Sequence, residues 1–373
     1  MIYPPPDIPP PPEWPPGEPP PVDIDPAPDL PPDFPPGGDP TPPIHLPPTE
    51  PGPPHPPAPS PPPLPAGLFV AVANSGTDNR VMTSPDGIDW TIRVSAANNN
   101  WTSVCWSPGL GIFCAVANSG TGNRVMTSSN GIDWTIRVSA EDSDWKSVCW
   151  SPELSLFCVV AGTDSTHQVM TSPNGIDWTY HNASSWENWK SVCWSPYLDL
   201  FAAVTWPFSG IDCMTSPDGI NWTNRKTEFY EKWSSVCWCR GPSQFCAVAE
   251  YSEDYVIMTS PNGVDWARRL APENIEWSSV CWSADLTLAC AVALWSTGKS
   301  VMTSPDCVNW TSQTTPVNNQ WKSVCWSPTL GLFCAVSNTG TGNRVMTSPD
   351  GIDWTIRTSA EDNDWTSVCW ASG

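Results

Sequence analysis

The chain has 373 residues and a formal net charge of −22, from 38 acidic and 16 basic residues. That balance excludes a protein that grips nucleic acid through its phosphates, which takes clustered Lys and Arg, and it disfavours an anionic membrane surface. No run of 18 apolar residues occurs, which excludes a transmembrane helix from the sequence as read.

Residues 1–65 hold 33 of the 47 prolines, nine acidic residues and no Lys or Arg. Each proline fixes φ and removes a backbone donor, so this stretch is expected to form neither helix nor sheet but an extended polyproline II arm. It begins MIYPPPDIPPPP, without the basic start and apolar core of a secretory signal. A proline-rich arm has little entropy left to lose on binding. The expectation is therefore an anchor that threads along other subunits of a larger assembly, with Tyr3, Ile8, Trp14 and Phe34 as the gripping side chains.

From residue 66 to 373 the sequence repeats. A methionine falls at Met82, Met126, Met170, Met214, Met258, Met302 and Met346, and a tryptophan at Trp90, Trp134, Trp178, Trp222, Trp266, Trp310 and Trp354, always 44 residues apart. A period of about 40–50 residues with strand-like content predicts an all-β fold, a seven-bladed β-propeller with one blade per repeat. In the second blade, Trp101–Ser107 reads as strand A and the apolar run Ile112–Ala117 as strand B. Arg124–Ser128 reads as strand C, Asn130-Gly131 as a two-residue hairpin, and Ile132–Val138 as strand D. The repeats begin on strand B at Leu68 and end on strand A at Trp365–Trp370. The last strand is therefore expected to pair with Leu68–Val72 and to close the ring.

Seven of the 15 cysteines stand in SVCW segments, from Cys105 to Cys369, and five more stand nine residues later. The offset makes them cross-strand neighbours. The reading is of small apolar side chains filling narrow space between blades, with disulfides across the hairpin as the alternative. No CxxC pair occurs and no nearby His has metal-ligand spacing, so neither metal nor cofactor is expected.

The turn sequence SPDGIDW at Ser84–Trp90, present with variations in all seven repeats, resembles the Asp-box of sialidase-like propellers. Carried across on that resemblance, the structural residues are Ser84, Asp86, Gly87 and Trp90, with Asp218, Gly219, Trp222, Asp350, Gly351 and Trp354 among their equivalents. The match departs from the family in having Asp and Gly adjacent. Asn130, Asn174 and Asn262 replace Asp, and Cys307 replaces Gly, so the sixth turn is expected to be altered or strained. A sialidase implies three converging arginines, yet here Arg80, Arg124 and Arg344 share one repeat position, and Arg93, Arg137 and Arg357 another. His167 and His181 lie without a matched acid. The expectation is of no enzyme and no catalytic residue.

The B–C and D–A loops share the face opposite these turns. In blades one, two and seven they are short and nearly identical (NSGTDN, NSGTGN, NTGTGN; SAANNN, SAEDSD, SAEDND). In blades three to six they diverge and acquire Trp186, Trp206, Phe208, Tyr230, Tyr251, Tyr255 and Trp295, which suit a glycan or a protein interface. These features lead to an expected non-enzymatic binding protein, an appendage or decoration of a tailed-phage-like virion, carried by its arm. It would be assembled in the host cytoplasm, with no nucleic-acid or membrane partner. A secreted or surface lectin is the alternative, and a sialidase-like glycosidase a further one.

Overall fold

The computed structural model describes residues 67–162, 167–227, 230–251, 256–295 and 298–372, with only the backbone of Tyr251 and Val256. Of the sequence expectations, the anchors Tyr3, Ile8, Trp14 and Phe34 and the binding residue Tyr255 lie outside these residues. The described residues form seven four-stranded antiparallel sheets, a seven-bladed β-propeller.

Each blade follows from the repeat. In blade two, strand A (Trp101–Ser107) pairs with strand B (Ile112–Ala117), which places Trp106 opposite Phe113 and Cys105 opposite Cys114. Strand B pairs with strand C (Val125–Ser128), and strand C with strand D (Thr135–Arg137). Strands B and C are buried on both faces because a blade is sandwiched between two others. Strand B is accordingly a continuous apolar run rather than an alternating one, while strand C, Val-Met-Thr-Ser, buries two hydroxyl side chains as well. Every core cluster crosses a blade boundary. Leu68, Val70 and Val72 of blade one pack against Trp101, Val104, Phe113 and Met126 of blade two. Trp106 and Phe113 lie with ring centroids 4.6 Å apart, and the pair recurs around most of the ring. Burying one such phenylalanine contributes roughly 2–3 kcal/mol.

Strands C and D are shorter than the sequence pattern predicts. The amides of Ile132 and Asp133 donate to Asn130 Oδ1 at 2.9 and 2.8 Å. They therefore remain in the turn, and strand D begins only at Thr135. The turn between strands C and D is thus not the two-residue hairpin that Asn130-Gly131 predicts.

The ends of the repeat array meet. Strand A of blade one is Trp365–Ala371, with Leu68 opposite Ala371, Phe69 opposite Trp370 and Val70 opposite Cys369. Inner strands are also tied to one another. The Val104 amide donates to Ser367 Oγ at 3.1 Å, Val148 to Ser103, Val192 to Ser147, Val236 to Ser191, Val280 to Ser235, Val324 to Ser279, and Val368 to Ser323. This is a complete circuit of seven hydrogen bonds, one per boundary. All fifteen cysteines are free thiols, and those of strand B, such as Cys114, are fully buried.

Candidate functional site

The first residue after the framework tryptophan of strand A sits at a register shift, a β-bulge, in every blade. A bulge turns a side chain out of the ladder. At this position Thr102, Ser234, Ser278 and Thr366 bridge to the next blade. Thr102 Oγ1 donates to Trp145 O at 2.8 Å and Thr366 Oγ1 to Trp101 O at 2.7 Å. Ser234 and Ser278 do the same to Trp277 O and Trp321 O, each at 2.6 Å. The other three blades carry Lys146, Lys190 and Lys322 here. A lysine cannot make the short bridge, so three boundaries give up a hydrogen bond to place a cation on the inner strand.

Lys190 is the centre of the arrangement. Its Nζ lies 4.0 Å from the Trp206 ring centroid, with Lys232 Nζ 4.9 Å from the same ring. Both distances are within cation–π range. Burial brings Lys190 down to about 8; Lys146 and Lys322 push the same way, while Glu250 and Asp144 oppose. Lys146 is paired with Asp144 at 2.8 Å. A group with this value carries a proton part of the time near neutral pH and is able to hold an anion or to exchange that proton.

The loop aromatics flank this group along the chain, Trp186 just before Lys190, Phe208 just after Trp206 and Tyr230 just before Lys232. Trp186, in the crossing into blade four, stacks with Phe208 at 6.2 Å and 26°. Tyr230, in the crossing into blade five, donates from Oη to Phe208 O at 3.1 Å. All three are more than half exposed, at 60%, 57% and 66%. Beneath them Glu187 is fully buried and accepts from the Phe208 amide at 2.6 Å and the Ser209 amide at 3.1 Å. It thereby fixes the loop that presents Phe208. Trp206 does not lie in a loop as expected but ends strand B of blade four (Leu200–Trp206), and Tyr251 ends strand B of blade five (Gln244–Tyr251). Trp295 is exposed but belongs to blade six, apart from this group. The lysines and Glu187 escape a reading based on aromatics. The alternation of Thr, Ser and Lys at one repeat position is the signal that finds the lysines, whereas nothing in the sequence marks Glu187.

On the opposite face the turn residues form a repeated lattice. Ser84 Oγ accepts from the Gly87 amide at 2.8 Å, Asp86 Oδ1 from the Ile88 and Asp89 amides at 2.8 and 3.0 Å, and Trp90 Nε1 donates to Gly87 O at 3.2 Å. Asp218, Gly219 and Trp222 repeat it, as do Asp350, Gly351 and Trp354. Burial raises these carboxyls, but the amide donors outweigh it and hold them low. Asp218 and Asp306 fall to about 2, because Asn221 and Asn309 add side-chain donors. In the sixth blade Cys307 keeps the left-handed conformation at φ 57°, and Trp310 Nε1 is buried without a partner.

The arginines do not converge. Arg80 donates to Gly76 O, Asn74 O and Asn99 O, clamping its own loop, and Arg124 and Arg344 do likewise. Arg93 crosses strands to Thr83 Oγ1. The expectation that the two histidines lack an acid is corrected for His167, whose Nδ1 lies 2.8 Å from Glu141 Oε2. His181 is in strand D of blade three and meets Thr171 Oγ1 at 2.8 Å.

No family model matches the chain, and no curated protein does. Solved structures do. Virginiamycin B lyase from Staphylococcus aureus superposes with a TM-score of 0.60 at 7% identity, covering 78% of this chain and 88% of that one. The periplasmic gluconolactonase of Pseudomonas aeruginosa gives 0.62 at 11%, covering 82% and 99%. A nidogen–laminin complex gives 0.51 at 7%, covering 82% and 98%. At these identities the likeness is one of fold, the β-propeller. None of the three is a sialidase, so the sialidase-like resemblance rests on the turn sequence alone. The expectation that the chain is no enzyme is corrected: two of the three similar structures are a lyase and a lactonase built on this same fold.

Proposed function

We propose that the protein is a binding propeller whose partner, a protein or a glycan, seats on the aromatic and cationic sector of blades three to five. The leader, 1–65, would couple it to a larger assembly, a virus particle of tailed-phage type in the reading taken from the sequence. The observation that carries the binding reading is the grouping of Trp186, Phe208 and Tyr230, in contact with one another and each more than half exposed, on the same blades as two lysines stacked on Trp206. Exposed aromatic rings with adjacent charge suit stacking on sugar faces or on a partner's side chains. The nidogen–laminin complex is a protein assembly that contains the same fold.

The test is a comparison of the full chain with Trp186→Ala and Tyr230→Ala on an array of neutral and acidic glycans and in capture of surface proteins from candidate hosts. Loss of a retained ligand with an unchanged melting temperature supports the reading. A large fall in melting temperature, with no ligand retained by the parent chain, sinks it.

A second reading rests on Lys190. A lysine brought down to about 8 beside an aromatic wall is able to take up a proton in a reaction. Turnover of a lactone or glycoside panel that is lost in Lys190→Met and follows a single ionisation near 8 would support catalysis at this site. Turnover indifferent to Lys190 would remove it.

A further inference from the structure

Three departures from the repeat meet at the boundary of blades five and six. Strand A of blade five ends in Cys239, where blades two, three, four, six and seven have Ser107, Ser151, Ser195, Ser283 and Ser327 and blade one has Ala371. The turn of blade six has Cys307, where the other six have glycine. Strand B of blade five opens on Gln244, where blades one to four, six and seven have Leu or Ile.

The last change explains how the second is tolerated. A Cβ on Gly263 would come 2.9 Å from Leu200 Cδ2, on Gly131 2.7 Å from Leu68 Cδ2, and on Gly175 3.0 Å from Ile112 Cδ1. Gln244 takes the place of that aliphatic side chain beneath Cys307, and its Nε2 donates to Asp306 O at 2.8 Å. The turn of blade five, Arg240-Gly241-Pro242, has proline where others have a leucine amide that donates to the serine hydroxyl. That makes the serine dispensable but does not ask for a thiol. The outcome of the three changes is a cluster: the Sγ atoms of Cys239, Cys246 and Cys307 lie within 4.8 Å of one another, all fully buried. Cys237 Sγ is 3.6 Å from Cys239 Sγ. Cys237 and Cys246 are ordinary members of the repeat, so the two new thiols complete a set that the repeat half supplies.

We propose that Cys239, Cys246 and Cys307, with Cys237 as the fourth ligand, hold a thiophilic divalent cation of the zinc class as a structural clip between blades five and six. Tetrahedral zinc–thiolate bonds of about 2.3 Å set sulfur atoms about 3.8 Å apart; the sulfurs of Cys239, Cys246 and Cys307 are at most 4.8 Å apart and Cys237 is 3.6 Å from Cys239, so the group has to close slightly around the ion. Three of the four thiols are fully buried and Cys237 is partly buried; four protein ligands leave no position for water, which marks a closed structural site rather than a catalytic one. Each thiol that ligates gives its proton to solvent, so acid should weaken binding. The ligands come from two blades, so the ion would resist opening of this boundary.

The experiment uses the full chain, reduced and stripped of metal with a chelator, titrated with Co²⁺ and with Cd²⁺. The comparison variant is Cys239→Ala/Cys307→Gly, which restores residues that the same positions carry in other blades and so should fold. The expected result is one ion per chain by native mass spectrometry and a thiolate-to-cobalt charge-transfer band. The melting temperature should rise with metal. All three should be lost in the variant, whose circular dichroism is unchanged. No uptake by the parent chain, equal uptake by the variant, or a disulfide among these cysteines in protein isolated without reductant would each overturn the proposal. Should the double variant fail to fold, Cys246→Ala carries the same readouts.

Discussion

Blades seven, one and two differ from blades three to six in where their polar groups go. In the first sector the loops bond to themselves. Asn99 Nδ2 reaches Asn123 O at 2.7 Å, Asn363 Nδ2 reaches Asn79 O at 2.6 Å, and Arg80, Arg124 and Arg344 clamp the loops from beneath. The framework tryptophans that follow these crossings, Trp101, Trp145 and Trp365, each donate from Nε1 to the carbonyl four residues back, at 3.1 Å. In the second sector the clamp position holds Gln168, which still donates to Gly162 O and Glu187 O, Asp212, which accepts from the Thr227 amide, and Ser300; Nε1 of Trp189 and Trp277 is buried without a partner. The strand order and pairing are the same in both. Divergence is greatest at the loops, where Trp189 and Trp277 lose the bond from Nε1, and that is where the exposed aromatics stand.

The comparison breaks most completely if the ring does not depend on its closing strand. Removing 365–373 strips blade one of strand A and interrupts the circuit of seven inner-strand bonds. The expected outcome is loss of the cooperative unfolding transition followed by circular dichroism; a truncated chain that melts as the parent does would contradict the closure. A sharper test uses matched tryptophans. Trp101→Phe removes a satisfied buried donor, whereas Trp277→Phe removes an unsatisfied one. Urea unfolding should show the first to be about 1 kcal/mol more destabilising than the second.

The lysines predict a gain. Lys190→Ser restores the inter-blade bridge seen at Ser234 and Ser278 and removes a half-buried cation. Stability should rise by about 1 kcal/mol in urea, while retention of an acidic ligand falls. The smallest effect concerns acid. The carboxyls of Asp86, Asp218, Asp306 and Asp350 lie below their ordinary value when folded, so their contribution is complete above about pH 4 and is lost as pH falls toward 2. Replacing all four by Asn should flatten stability between pH 4 and 2. It should change little at pH 7, because Asn130, Asn174 and Asn262 already accept the same amides through Oδ1. A melting temperature with the parent's slope in acid would refute this.

The architecture was legible because period and pattern carry it. Seven methionines and seven tryptophans at one spacing fix the blade count, and Leu68 and Trp370 at the two ends foretell the closing pair. Strand ends were less legible, because Asn130 captures the Ile132 amide and delays strand D, a side-chain bond that no propensity records. At the site, Trp186, Phe208 and Tyr230 stood out as departures from a regular background. Glu187 did not, since its role depends on which loop folds over it. The cysteine group was hidden for the same reason. Cys239 and Cys307 are far apart along the chain, and only the stacking of adjacent blades makes them neighbours.

The pairing of Leu68 with Ala371 has one more consequence. With its two extremities side by side in one sheet, the array has no inherent starting point. A circularly permuted chain, spliced by a short linker at this seam and reopened at the crossing into another blade, would rebuild the same seven sheets. Where the polypeptide enters the ring is thus a choice left to the gene, not one imposed by the geometry of the fold.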